Sequence, residues 1–187
     1  YDGCSTCMLS FTSDQISALE HVYDKRTSFN IAAVNMSLGA GSYATSCDTE
    51  DPRTAAIELL RSVNIATVVS SGNQAYTDRI GAPACISAAV SVGSTTDTDS
   101  VSYFSNSAQI LDLLAPGSDI TSSVPNNAFL PKSGTSMAAP HVAGAFALLR
   151  AKTPAASVAE ILAVLQSTGI PILDSRNEIS TPRIQVD

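Results

Sequence analysis

A serine and a histidine lie five residues apart in the run Ser133-Gly-Thr-Ser-Met-Ala-Ala-Pro-His-Val-Ala-Gly144. These residue types can form the nucleophile and base of a hydrolase if the base reaches the nucleophile. The small side chains predict a closely packed helix over 135–152. On that helix His141 is rotated about 140° from Ser136 and lies roughly 7.5 Å further along the axis. The spacing therefore argues against His141 as the base and predicts a buried or half-buried packing role for it.

Ser136 falls in the first turn of that predicted helix. Unpaired backbone N–H groups and the helix dipole favour developing negative charge there, which suits a nucleophile that attacks a carbonyl group. An ordinary structural interpretation is also available, because serine and threonine are preferred helix N-caps. From Gly134-Thr-Ser136 alone, both interpretations stay open.

The elements along the rest of the chain indicate an α/β fold. Helices are predicted over 14–26, from Pro52 onward, over 135–152 and over 157–167, and strands over 31–38, 65–69, 86–93 and 106–114. Strands and helices alternate through the first ninety residues. We therefore expect a mostly parallel sheet flanked by helices in three layers, with a ligand crevice beyond the carboxyl ends of the strands.

Composition limits the classes of function. The 187 residues are 44% hydrophobic and 14% charged, which fits one domain with a buried core. No apolar run is long enough to predict a membrane span. The net charge of −7, with ten Lys and Arg residues, argues against a nucleic-acid partner. The cysteines include one Cys-x-x-Cys pair without a second pair, so disulfides and an oxidising compartment are expected rather than a zinc site.

Four segments, in order, resemble motifs of the subtilisin-like serine proteases, the subtilases. Gly134 to Gly144 resembles the nucleophile motif of that family. The other three are Val34-Asn-Met-Ser-Leu-Gly39, Val68-Val-Ser-Ser-Gly-Asn73 and Ala115-Pro-Gly117. The resemblance extends from about residue 14 to the end of the chain. It implies a subtilisin-like three-layer fold and a serine endopeptidase that acts on peptides or proteins through an acyl-enzyme.

The resemblance also implies a role for each matching residue. Ser136 would be the nucleophile, and its backbone N–H and the Asn73 side chain would bind the oxyanion. Asn73 has an ordinary alternative as a turn residue after a glycine. Two further groups would bind substrate: Ser37, Leu38 and Gly39 as a strand that pairs with the peptide backbone, and Ser71, Gly72 and Gly81 as pocket walls. Gln74 stands where some subtilases carry an acid, so a strong preference for basic side chains is not expected.

Two parts of the subtilase triad have no match. The motifs that carry the family's aspartate and histidine, which lie upstream of the substrate strand, are absent. Residues 1–187 therefore resemble the C-terminal portion of a catalytic domain, which is incomplete on the N-terminal side and cut at both ends. The chain alone is therefore expected to be nearly inactive. Its expected partner is the upstream part of the same domain, and uncovered surface would favour marginal stability or oligomers. His21 near Asp24 is a weaker alternative base, and an inactive peptide-binding module is the alternative function.

The resemblance implies a pairing of Cys47 with Cys85. This leaves Cys4 with Cys7, or an intermolecular bond. It implies no required cofactor; structural calcium is compatible with the family, but the carboxylates in 97–99 and 48–51 form no recognisable calcium loop. The expected location is extracellular or periplasmic.

Overall fold

The computed structural model describes residues 9–186. The helices are α1 (Thr12–Lys25), α2 (Thr54–Ser62), α3 (Thr135–Lys152) and α4 (Val158–Thr168). The strands are β1 (Ala33–Met36), β2 (Ala40–Tyr43), β3 (Ala66–Ser70), β4 (Ile80–Ala82), β5 (Val90–Thr95), β6 (Leu113–Pro116), β7 (Ile120–Val124), β8 (Ala128–Lys132), β9 (Ile170–Asp174) and β10 (Ile179–Arg183).

A six-stranded sheet in the order β1-β3-β5-β6-β10-β9 organises the molecule. All neighbouring strands in it run parallel except β9 and β10, which form an antiparallel hairpin. The predicted α/β fold with a mostly parallel sheet flanked by helices is therefore confirmed. Two small antiparallel sheets, β2 with β4 and β7 with β8, lie outside this sheet.

Helices cover both faces of the sheet because successive residues of each buried strand point to opposite sides. Val69 of β3 packs in a core cluster with Ile57 and Leu60 of α2. The preceding residue, Val68, packs in a second cluster with Phe146 of α3 and others from α4. The sheet thus separates two hydrophobic cores, which makes three layers.

The structure corrects several predicted boundaries. Residues 86–89 form turns, and the strand predicted from Ile86 begins at Val90. Most of the strand predicted over 106–114 is a loop, because Asn106 and Ser107 donate their backbone N–H groups to Gly72 and Tyr76 rather than to a neighbouring strand. His141, predicted to be buried or half-buried, is exposed, and its Nδ1 lies 2.8 Å from the Met137 carbonyl oxygen.

Cys47 and Cys85 form a disulfide with their Cα atoms 5.4 Å apart, which confirms that pairing. The bond joins the segment after β2 to the segment after β4. Cys4 and Cys7 lie outside the described residues. Within 9–186, no helix has both the length and the apolar character needed to cross a bilayer.

Candidate active site

The site forms where two neighbouring parallel strands end. Strands β1 and β3 pair with Met36 opposite Val69, so the chain leaves both strands at the same edge of the sheet. Residues 37–39 follow β1 and residues 71–73 follow β3. The two segments that the sequence singled out are therefore brought side by side by the register of the sheet, at the edge where α/β proteins place their ligands.

The start of α3 is anchored at this edge by Gly117, which follows β6. The Gly134 N–H donates to the Gly117 carbonyl oxygen at 2.8 Å. A Cβ atom at position 117 would lie 2.4 Å from Ser94 Oγ and 2.7 Å from the Gly134 carbonyl oxygen, so only glycine fits. This close approach sets the first turn of α3, and with it Ser136, beside the strand ends.

Asn73 is held by the first residue of α3. Its Oδ1 accepts hydrogen bonds from the Thr135 backbone N–H at 2.9 Å and from Thr135 Oγ1 at 3.0 Å. The same Oγ1 accepts from the Gly72 N–H at 3.2 Å. Since Oδ1 is occupied, Nδ2 is the end of the Asn73 amide that remains to donate. Among the described residues neither Asn73 Nδ2 nor the Ser136 N–H has a hydrogen-bond acceptor. The site therefore holds two unpaired donors close to Ser136.

Ser37 and Ser136 contact each other reciprocally. Ser37 Oγ donates to the Ser136 carbonyl oxygen at 2.8 Å, and Ser136 Oγ donates to the Ser37 carbonyl oxygen at 3.4 Å. The bond to the Ser136 carbonyl oxygen is explained by a proline in the helix. Pro140 lies inside α3 and has no N–H, so the Ser136 carbonyl lacks its normal partner four residues later in the helix. The hydroxyl of Ser37 supplies the missing donor, and the 37–39 segment is thereby tied to Ser136.

A cavity of about 190 Å³ lies beside Ser136. Five of the residues singled out from the sequence lie on its wall together with Ser136, namely Leu38, Gly39, Gly72, Asn73 and Gly81, and Gln74 lies there too. Two expected substrate contacts are placed differently. Ser71 is fully buried behind the wall, where its Oγ donates to the Asn106 carbonyl oxygen at 3.0 Å, and Ser70 lies on the wall instead. Ser37 contacts Ser136 and is not on the cavity wall.

Neither histidine of the chain reaches this cavity. His21 on α1 and His141 on α3 are both exposed, and neither is among the residues that line the wall. The solvated face predicted for His21 is confirmed. The arrangement thus brings together a hydroxyl and two unpaired N–H donors, with neither histidine beside them.

Three of the carboxylates considered for calcium, Asp48, Asp51 and Asp99, are engaged by protein groups. Asp48 accepts two hydrogen bonds from Ser87, and Asp99 pairs with Arg183. Burial acts to raise the pKa of Asp51, but hydrogen bonds from Arg53 outweigh it and hold that pKa below its ordinary value. Within residues 9–186, no three His, Cys, Asp or Glu side chains come together as a metal site.

Two site residues were not identified from the sequence. Thr135, which orients Asn73, stands inside the nucleophile motif, and its neighbours Gly134 and Ser136 were the signal that could have pointed to it. Asn106 contacts the 71–76 segment from a loop between β5 and β6. Nothing in the local sequence around Asn106 marks that contact.

Comparison with known proteins places the chain in a family. The model of the "Subtilase family" of peptidases matches residues 5–183. An "Extracellular serine proteinase" from Thermus sp. (strain Rt41A) is 40% identical over 136 residues, which is 72% of this chain and 32% of the relative. "Subtilisin DY" from Bacillus licheniformis is 32% identical over 163 residues, 87% of this chain and 58% of the relative. The chain thus spans between about a third and three fifths of these relatives.

Solved structures agree on the fold. The structure titled "Crystal structure of a cold adapted subtilisin-like serine proteinase" has a TM-score of 0.77 and 30% identity, and the match covers 96% of this chain and 63% of that one. "Structure of Prenylagaramide maturation protease PagA" has a TM-score of 0.78 at 22% identity, covering 98% and 68%. The second likeness, at that identity, concerns the fold alone.

Proposed function

This chain belongs to the subtilase family, and from that premise we propose that it is the part of a secreted serine endopeptidase that carries the nucleophile and the oxyanion hole. The observation that supports this most directly is the convergence of Ser136, its free N–H and the free end of Asn73 at one cavity. The substrate class is an extended peptide or protein segment.

The proposed reaction is acyl transfer. Ser136 Oγ attacks the scissile carbonyl carbon and forms a tetrahedral intermediate as its proton passes to a base. The C–N bond then breaks, the amine leaves with that proton, and the acyl group remains as an ester on Ser136 until water hydrolyses it. The Ser136 N–H and Asn73 Nδ2 would bind the negatively charged oxygen of the tetrahedral intermediate. In subtilisin itself, loss of the side-chain donor lowers kcat by about 10²–10³.

The base and its orienting aspartate are proposed to come from outside these residues. They would be carried by the upstream part of the same catalytic domain or by a partner chain. Without them we expect residual activity only: subtilisin with its triad removed keeps about 10³–10⁴ over the reaction in water, far below normal turnover.

The free edge of β1 is the proposed docking place for that missing part. Among the described residues β1 pairs with β3 alone, which leaves its other edge available for a further strand. A cavity of about 230 Å³ lies between α1 and this edge, with an apolar lining that includes Leu19, Val34 and Leu38. Because the lining also includes Ser37, a segment seated there would lie next to the nucleophile.

Export is supported by two observations. The chain contains the Cys47–Cys85 disulfide, which persists in oxidising compartments. The Thermus relative is named an extracellular enzyme. The proposal assigns no cofactor to the reaction and no ligands to a structural calcium ion.

A catalytically inactive peptide-binding module is the second candidate. It is favoured by the position of both histidines away from the cavity. On this alternative the 37–39 segment would bind extended peptides without cleaving them. The two donors beside Ser136 favour the enzyme, since peptide binding does not require an oxyanion hole.

Fluorophosphonate labelling, with the modified residue located by mass spectrometry, separates these candidates. The chain is tested alone and with the upstream segment of its own coding sequence, and Ser136→Ala is the control. Labelling of Ser136 that depends on the added segment supports a completed protease. Absence of labelling in both states contradicts the enzyme, and rapid labelling of the chain alone contradicts the proposed external base.

A further inference from the structure

Asn106 is fully buried in the loop between β5 and β6, and the proposed reaction gives it no role. All the hydrogen bonds of its side chain are made to one segment, residues 71–76. Oδ1 accepts from the backbone N–H groups of Gln74 at 2.9 Å and Tyr76 at 3.2 Å. Nδ2 donates to the Ser71 carbonyl oxygen at 3.0 Å and to Gln74 Oε1 at 2.8 Å. A primary amide has two donor and two acceptor sites, and all four are used here.

The backbone of Asn106 is joined to the same segment. Its N–H donates to the Gly72 carbonyl oxygen at 2.9 Å, and its carbonyl oxygen accepts from Ser71 Oγ at 3.0 Å. Gly72 has a φ of +112°, and a Cβ atom there would lie 2.2 Å from Asn106 Nδ2. The segment and the side chain therefore fit together only because position 72 is glycine.

The loop that carries Asn106 is itself held from a third element, the turn between β9 and β10. Arg176 donates to the carbonyl oxygens of Tyr103 and Ser105, both at 2.9 Å. Asn177 Nδ2 donates to the Thr77 carbonyl oxygen at 2.7 Å and to Ser107 Oγ at 3.0 Å. The turn thus fixes both the end of the 71–76 segment and the loop around Asn106.

We propose that Asn106 is a positioning residue that holds Asn73 in place for oxyanion binding. Asn73 lies within the segment that Asn106 binds at both ends. An oxyanion donor accelerates a reaction only when it is fixed before charge develops, since a donor that must reorganise loses its advantage. This role rests on the proposed function, whereas the structural part, that Asn106 orders residues 71–76, can be tested without any activity.

The test compares amide hydrogen exchange of the 71–76 segment in two variants of the full 187-residue chain. Asn106→Ala removes the acceptor of two backbone N–H groups, and we expect exchange in this segment to become roughly tenfold faster or more. Asn106→Asp keeps that acceptor but replaces the donor by a carboxylate oxygen that faces the Ser71 and Gln74 oxygens, so exchange at the Gln74 and Tyr76 amides should lie between wild type and Asn106→Ala. Helix α4 is the internal reference, and the exposed Gln166→Ala on α4 is the matched control.

The exchange rates show whether Asn106 orders residues 71–76. Faster exchange in residues 71–76 with unchanged exchange in α4, in at least one of the two variants, supports the positioning role. Unchanged exchange in the segment in both variants overturns it. So does a uniform increase over the whole chain in both, since that would mean general destabilisation.

The proposed catalytic effect of Asn106 is tested by fluorophosphonate labelling of Ser136, with the upstream segment added to the chain. We expect Asn106→Ala to label at least about tenfold more slowly, with Asn106→Asp in between and Gln166→Ala equal to wild type. Equal labelling of Asn106→Ala and wild type would overturn the catalytic role of the positioning. If the wild-type chain does not label, the proposed protease function is wrong. The exchange experiment still tests whether Asn106 orders residues 71–76, because it does not depend on activity.

Discussion

The hydrogen bond from Ser37 Oγ to the Ser136 carbonyl oxygen replaces a helical bond that Pro140 cannot make. If this explanation is right, the importance of Ser37 must depend on the proline. Ser37→Ala leaves the carbonyl without its side-chain donor. Pro140→Ala restores a backbone N–H four residues along α3, so that the carbonyl no longer depends on Ser37.

The magnitude follows from the exposure of the contact. A buried unpaired carbonyl costs more, but Ser37 is exposed and water can take over part of the bond, so Ser37→Ala should cost about 0.5–1 kcal/mol. With Pro140→Ala present, the part of the cost that comes from the Ser136 carbonyl should fall close to zero. The hydrogen bond from Asn35 Nδ2 to Ser37 Oγ is lost in both backgrounds and cancels. The expected coupling between positions 37 and 140 is therefore about 0.5–1 kcal/mol.

Urea unfolding of the four proteins of this cycle measures the coupling. For an m-value of about 2 kcal/mol/M, Ser37→Ala should lower the midpoint by roughly 0.3–0.5 M in the wild-type background. It should lower the midpoint of Pro140→Ala by less, because only the exposed hydrogen bond from Asn35 Nδ2 to Ser37 Oγ is then lost. Any stabilisation by Pro140→Ala itself drops out of the comparison. Equal midpoint shifts in the two backgrounds would show that Ser37 does not compensate for the proline.

Three further expectations concern stability. Replacing Cys47 and Cys85 by alanine opens a loop of 38 residues and should cost about 4 kcal/mol, a fall in Tm of about 8–16 °C by calorimetry; a fall below about 3 °C would contradict it. Burial raises the pKa of Asp112 despite hydrogen bonds from Ser91, so its ionisation opposes folding as pH rises above the ordinary value of 3.8. Asp112→Asn should therefore be more stable than wild type at pH 7 and equal near pH 3, and parallel pH profiles would refute this. Burial also acts to raise the pKa of Asp174, but Arg176 hydrogen bonds outweigh it and lower that pKa, so the stability from Asp174 is present at neutral pH and lost as pH falls through its folded pKa. Asp174→Asn should cost about 1–2 kcal/mol at pH 7 and less at pH 3 in denaturant titrations, whereas a constant difference would count against the pairing.

The sheet could be predicted from the sequence because its strands follow simple periodic rules. Alternating helical and buried apolar segments predicted parallel strands, and parallel strands bring their carboxyl ends to one edge. The meeting of residues 37–39 with residues 71–73 follows from that rule and from the observed register. The roles of these residues in binding substrate stay predictions.

The hairpin of β7 and β8 was missed although its turn had a readable signal. Pro125, Asn126 and Asn127 join the two strands, and both asparagines adopt positive φ, 68° and 56°. Asparagine tolerates this conformation better than most residues, and such residues in a loop of two or three residues between strands are typical of a tight hairpin. The strands themselves are short and mostly exposed, so they lack the buried apolar pattern on which the prediction relied.

The contacts of Asn106 could not have been predicted in the same way. Its partners lie 30–35 residues earlier in the chain, and the pairing depends on a loop that leaves β5 and returns across the end of β3. The exposure of His141 had a related cause. Helix α3 is made largely of small apolar residues on all sides, so its composition does not distinguish the covered face from the open one.

The proposed site has two parts: Ser136 and Asn73, which are held within the described residues, and the base, which is proposed to come from outside them. Ser136 is held through its carbonyl by Ser37 in the segment after β1, and Asn73 is held through Oδ1 by Thr135 at the start of α3. Each of the two proposed oxyanion donors is therefore fixed by a contact with another element. All of these bonds lie within the described residues. On the proposed function, an external segment would therefore need to add only the base and its orienting group, since Ser136 and Asn73 are already held by protein contacts. Docking at the free β1 edge would then complete the site without rearranging it, and would place the new base beside Ser37.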